Sequence, residues 1–174
     1  GSATSTVVNS SGTQNIYSAG NAISATINSS GTQNILSGGT ASGTVVNTSG
    51  FQRVSAGGTA TGTKLSGGTQ NVSSGGSATS TVVNSSGTQN IYSAGNAISA
   101  TINSSGTQNI LSGGTASGTV VNTSGFQRVS SGGTATGTKL SGGTQNVSSG
   151  GKAIDAEVYS GGKQTVYSGG TATG

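Results

Sequence analysis

Histidine, cysteine, proline and tryptophan are all missing from this chain of 174 residues. Without cysteine there are no disulfides, no thiolate nucleophile and no thiolate metal site. Without histidine the usual general base near neutral pH is gone. Charge is scarce as well: Asp155 and Glu157 are the only acids, and Arg53, Lys64, Arg128, Lys139, Lys152 and Lys163 the only bases. Two acids on one extended stretch, with no aromatic-lined cleft, make a poor glycosidase pair. No calcium-loop spacing is present, and no G-x-G-x-x-G precedes a helix. The chain is therefore expected to be neither an enzyme nor a metal or cofactor protein.

Other absences bear on the class of chain. There are 34 glycines, but with no proline and no three-residue period a collagen triple helix is excluded. Only 28% of residues are hydrophobic, which by itself points to disorder. Yet only 5% are charged and the net charge is +4, so the charged half of the disorder signature is missing. No window reaches the length of an apolar membrane span, and no charged-then-apolar leader opens the sequence. The targeting and anchoring parts of an exported protein would lie outside these residues. Four of the six bases recur only every fourth repeat, too sparse to track phosphates, so no nucleic-acid partner is expected.

What the chain does have is a repeat. Residues 76–150 restate residues 1–75 with one change, Ala56 to Ser131. A finer period runs through Ser10, Ser29, Thr48, Ser66, Ser85, Ser104, Thr123, Ser141 and Ser160, in steps of 19 or 18 residues. Each unit holds two strand-like pieces. In the first, Gln14, Ile16 and Ser18 alternate with Asn15 and Tyr17, and Gln33/Ile35, Gln52/Val54 and Gln70/Val72 repeat the pattern. A two-residue period puts glutamine and the β-branched residue on one face and the residue between them on the other. The second piece carries an aliphatic column, Val8, Ile27, Val46, Leu65, Val83, Ile102, Val121, Leu140 and Val158. Two residues earlier on its inward face stand Thr6, Ala25, Thr44, Thr63 and their successors, and a third column from Ala3 to Ala172 is wholly alanine.

One unit has too few aliphatic side chains to bury and cannot stand alone, whereas stacked units turn each column into a continuous strip. The period excludes a helix face. The expected fold is all-β: a parallel β-helix, or β-solenoid, with one coil per repeat, about nine coils, and roughly 40 Å of length at about 4.8 Å per rung. It occupies residues 1–174 as a single segment with the 75-residue duplication inside it. Glycine pairs such as Gly38–Gly39, Gly57–Gly58 and Gly67–Gly68 are placed at corners. The unit at Lys64–Ser66 lacks one residue after its aliphatic position, where a corner absorbs the loss without flipping the strand.

The intervening residues are expected to face solvent. One outward column reads Asn15, Asn34, Arg53, Asn71, Asn90, Asn109, Arg128 and Asn146, and another contains Tyr17, Tyr92 and Tyr167. Together they form the candidate self-association face, a flat polar surface that meets a like surface through many weak bonds. Phe51 and Phe126 either cover a corner or serve as exposed contact points. Corner hydroxyls at Ser10, Ser29, Thr48, Ser66, Ser85, Ser104, Thr123 and Ser141 are candidate O-glycosylation positions. The many Asn-x-Ser/Thr sequons arise from composition.

The segments SGGTQNVSSGG at Ser66–Gly76, SGGTASGTVVNTSG at Ser37–Gly50 and SGGKAIDAEVYSGGKQTVYSGGTATG at Ser149–Gly174 resemble the repeats of self-associating autotransporter adhesins of Gram-negative bacteria, the AIDA-I, antigen 43 and TibA group. The resemblance covers the whole chain. It implies a right-handed β-helix passenger carried across the outer membrane by a C-terminal barrel, displayed on the cell surface or secreted. It implies cell–cell aggregation, biofilm formation and host adhesion. The implied partners are the same protein on neighbouring cells, a host receptor or glycan, and a dedicated glycosyltransferase acting on repeat Ser/Thr. A passive stalk and an ice-binding solenoid stay open as alternatives, the latter wanting a regular T-x-T rank on one face.

Overall fold

The computed structural model describes every residue from Gly1 to Gly174. Its 28 short strands form three parallel sheets of ten, nine and nine strands. Consecutive strands go to different sheets and every third returns to the same one, which makes a right-handed β-helix. The first coil contains β1 (Ser2–Thr4), β2 (Val7–Val8) and β3 (Thr13–Ile16), and the next opens with β4 (Asn21–Ile23). There is one strand more per coil than the two pieces read from the sequence, because the alanine column forms a strand of its own. The three sheets are called here, after their inward residues, the alanine, aliphatic and glutamine sheets.

Pairing is in strict register. Gln14 lies opposite Gln33, Asn15 opposite Asn34 and Ile16 opposite Ile35, and glutamine faces glutamine and a β-branched aliphatic faces another all the way up the sheet. A slip of one residue would send every inward side chain out. The alternation ends at Ile16, however, and Ser18 sits exposed in the following turn.

The interior is built of stacked columns. Ile27, Val46, Leu65, Val83, Ile102, Val121 and Leu140 are fully buried in one cluster with Ala25 and Ala100. Ile35, Val54 and Val72 pack on Ala22, Ala41, Ala60 and Ala78 in a second, and Ile91, Ile110, Val129 and Val147 on later alanines in a third. Small alanines facing larger aliphatics let the coil close narrowly. Each buried aliphatic side chain contributes about 1.5–3 kcal/mol.

Between these columns runs a line of buried glutamines. Each Nε2 donates to the Oε1 of the preceding coil at 2.6–2.8 Å, from Gln33 onto Gln14 up to Gln164 onto Gln145. The hydroxyls of Thr44, Thr63, Thr81, Thr119 and Thr138 donate to the same oxygens at 3.0–3.2 Å. No buried side-chain nitrogen or oxygen is left without a partner. An orphaned one would cost about 1–3 kcal/mol, so the column is stable only when its members align.

Three corners close each coil. Asn9–Gly12 and Tyr17–Gly20 are turns in which the glycine N–H donates to the first residue's carbonyl at 2.7 Å, and the third corner is a single left-handed residue, Ser5, at φ 55°. The two members of a glycine pair meet different demands. Gly38 takes φ +78° and a Cβ there would touch nothing, so Ala19 can hold the equivalent place at φ 57°. Gly39 is buried, and a Cβ on it would collide with the Ile16 carbonyl oxygen of the preceding coil. The shortened coil follows the same logic. Leu65 keeps its register with Val46 and Val83, and the strand Lys64–Ser66 passes straight into Gly67–Gly68, so the corner absorbs the missing residue.

Gly38→Ala is therefore expected to cost about 1 kcal/mol, and Gly39→Ala about 3 kcal/mol or more through backbone collision. Thermal unfolding followed by circular dichroism separates them; equal losses would contradict the coil-to-coil approach at Gly39.

Candidate functional site

The outward face of the glutamine sheet carries Asn15, Asn34, Arg53, Asn71, Asn90, Asn109, Arg128 and Asn146 on successive strands in register. Their amides link as the buried ones do. Asn34 Nδ2 donates to Asn15 Oδ1 at 2.8 Å, Asn90 to Asn71 at 3.0 Å and Asn109 to Asn90 at 2.9 Å. The ladder is interrupted at Arg53 and Arg128. Each guanidinium instead lies over the phenylalanine two residues earlier on the same face, 5.6 Å from the Phe51 ring centroid and 5.7 Å from that of Phe126. Of the two places read for these rings, the structure gives the outward sheet face: Phe51 is half-buried and Phe126 is 37% exposed.

The tyrosines are not part of that flat face. Tyr17, Tyr92 and Tyr167 each lie just beyond the end of a glutamine-sheet strand and open the turn leading to the alanine sheet, 57%, 39% and 53% exposed. The candidate surface thus divides into an amide face and an aromatic edge, because the strand stops one residue before the tyrosine.

Ser10, Ser29, Thr48, Ser85, Ser104 and Thr123 line the corner between the aliphatic and glutamine sheets, whereas Ser66 and Ser141 end strands of the shortened coils, in register with Asn47 and Asn122, because the missing residue shifts them one place back. All are exposed except Ser66, which is half-buried. The residue before each hydroxyl of the full-length coils builds a third amide ladder: Asn28 donates to Asn9 and Asn47 to Asn28, then Asn103 to Asn84 and Asn122 to Asn103, at 2.7–2.9 Å. The shortened coil, with Ser66 in place of asparagine, separates the two runs.

One surface feature escaped the sequence reading. The alanine sheet presents Thr-Ala-Ser, Thr-Ala-Thr and Ser-Ala-Thr on consecutive strands at Thr40–Ser42, Thr59–Thr61 and Ser77–Thr79, a hydroxyl array hidden by attention to the alanines. Asn21 and Ile23, Asn96 and Ile98, and Lys152 and Ile154 break it into short islands. On the aliphatic sheet Glu157 faces outward, 3.9 Å from Lys139, and accepts a hydrogen bond from the Tyr159 hydroxyl. That bond, with the carboxylate's charge, holds the Tyr159 phenol above its ordinary range. No three residues of the metal-binding types come together.

A parallel β-solenoid with amide- and hydroxyl-bearing outer faces is the architecture of a repeat-built solenoid protein. No protein-family profile and no curated protein sequence matches the chain. Among solved structures, the crystal structure of a TibC-catalysed, hyper-glycosylated TibA fragment is similar over 100% of this chain and 85% of that one, with 36% sequence identity and a TM-score of 0.65. The chain belongs to the TibA-like autotransporter passenger family.

Inward and outward positions differ sharply in what they tolerate. Asn34→Asp should change stability by less than about 1 kcal/mol, whereas Ile35→Asp, an unpaired buried charge, should cost several kcal/mol and disrupt neighbouring coils. Equal loss of melting temperature in the two variants would refute the assigned faces.

Proposed function

We propose that this segment is the self-associating repeat surface of a cell-surface adhesin, and that the amide face of the glutamine sheet meets another copy. The supporting observation is the ladder itself. A carboxamide has two N–H donors and an oxygen with two lone pairs. An asparagine inside the ladder, such as Asn90, uses one N–H and one lone pair on its neighbours and keeps one of each for a partner, and those at a ladder's end keep more. Asn71, Asn90 and Asn109 hold these groups at a fixed spacing, with the side chains already ordered, so little entropy is lost on contact. Single bonds of this kind are weak, and repetition along the rod supplies the strength. The exposed tyrosines border the face and add apolar contact.

The rank from Ser10 to Ser141 is the proposed acceptor line for O-glycosylation, and a glycosyltransferase is the proposed partner there. The support is that the similar TibA fragment is glycosylated by TibC and that most of these hydroxyls lie exposed at one edge. A passenger of this kind is expected at the cell surface or released from it, with its own copies on neighbouring cells as the first partner.

Cells displaying the segment should settle from still suspension. The triple substitution Asn71→Ala, Asn90→Ala and Asn109→Ala should slow settling several-fold while the circular dichroism spectrum is kept. Dispersed cells carrying a folded wild-type segment would contradict self-association and leave the stalk reading.

A further inference from the structure

The outer ladder of the glutamine sheet breaks twice, and both breaks are built alike. Arg53 stands in register between Asn34 and Asn71, and Arg128 between Asn109 and Asn146. Asn71 accepts from Asn90 on one side, so its Nδ2 faces the other, toward the strand of Arg53, where it donates no side-chain hydrogen bond. Asn146 makes no side-chain hydrogen bond at all, because the ladder resumes at neither of its neighbours, Arg128 and Thr165. At each break a free carboxamide donor therefore lies beside a guanidinium, which has five donors and no acceptor.

The guanidinium is also held in place. Stacking over a phenylalanine within about 6 Å is an attractive arrangement that limits its wandering. Neither arginine has an acidic partner: the chain's one ion pair, Lys139–Glu157, is on another sheet. Donors on neighbouring strands with no acceptor among them fit an oxyanion, and the planar fork of arginine matches a carboxylate in particular. Beside the charge lies the apolar edge of the ring, flanked on the neighbouring strands by Thr32 and Thr69 around Phe51, and by Thr107 and Thr144 around Phe126. An apolar patch with hydroxyls on both sides suits a sugar ring.

Building on the adhesin reading above, we propose that Phe51, Arg53 and Asn71, and again Phe126, Arg128 and Asn146, are paired binding sites for an acidic polysaccharide, with a uronate carboxylate on the arginine. A second copy of this chain is poorly suited to the role, since its only acidic side chains, Asp155 and Glu157, stand together in one coil and cannot match two arginines four coils apart. The two sites are four coils apart, about 19 Å at about 4.8 Å per coil. One polymer reaching both gains avidity over either alone. Cations so widely separated do not form the continuous stripe that a nucleic-acid backbone needs.

The test measures binding of the whole 174-residue chain to polygalacturonate, with neutral dextran, dextran sulfate and a single-stranded oligonucleotide as comparators. The wild type should prefer polygalacturonate. The double variant R53Q/R128Q should lose about tenfold or more of that affinity while its melting temperature is unchanged, and the single variant R53Q should fall between. R53K/R128K should also bind several-fold more weakly, because an ammonium lacks the fork. Absence of polygalacturonate binding, equal binding by R53Q/R128Q, or equal binding of dextran sulfate or the oligonucleotide would overturn the assignment. Settling of displaying cells is read in parallel. Polygalacturonate binding by a chain that does not make cells settle supports these sites and overturns self-association instead.

Discussion

Each buried glutamine amide in this molecule is bonded to the same amide one coil away. That constraint governs the structure. From Gln14 to Gln164 the glutamine oxygens and nitrogens face each other along the axis, and five threonine hydroxyls supply a second donor to the same oxygens. A coil turned out of register would leave donors and acceptors buried without partners on both sides of it, at about 1–3 kcal/mol each. The aliphatic columns contribute most of the favourable energy but are nondirectional. The glutamines make one register better than its neighbours, and this explains how so little apolar content specifies a fold.

The outer surface follows from the same regularity. Since every inward position is fixed, each outward column is presented at one spacing, and asparagines that stack on successive coils pair. Asparagine forms ladders on the glutamine sheet and at the neighbouring corner. Arginine cannot join a ladder that needs both a donor and an acceptor, so Arg53 and Arg128 turn to Phe51 and Phe126. The four-coil duplication then yields not one special position but two matched ones on a rigid face. In a protein that binds by repetition, a break in the ladder is the feature that differs from its surroundings.

Much of this was legible from residue spacing. The glutamine and aliphatic columns, their inward sense, the parallel stacking and the corner at the shortened unit all follow from counting, because a solenoid converts sequence period directly into position. The strand around each alanine was harder to see. Three residues between corners, with only alanine pointing inward, give almost no hydrophobic signal, and the Thr-Ala-Thr array went unnoticed with it. Strict alternation gives no sign of where a strand stops; the turn closed by Gly20 ends this one at Ile16, just before Tyr17. The cation–π pairs depend on residues two apart sharing a face, which spacing allows, but whether Phe51 lay on the sheet or in a corner needed the strand's first residue to be known.

The central claim is that the glutamine amides form one continuous buried ladder. It is tested most directly by hydrogen exchange of side-chain carboxamide protons, followed residue by residue by NMR. Those of Gln33, Gln52, Gln70, Gln89, Gln108, Gln127 and Gln145 should exchange orders of magnitude more slowly than those of Asn15, Asn34, Asn90 and Asn109, which are bonded but reachable by water. Glutamine protons exchanging as fast as the asparagine ones would contradict the ladder and, with it, the register that sets every face of the rod.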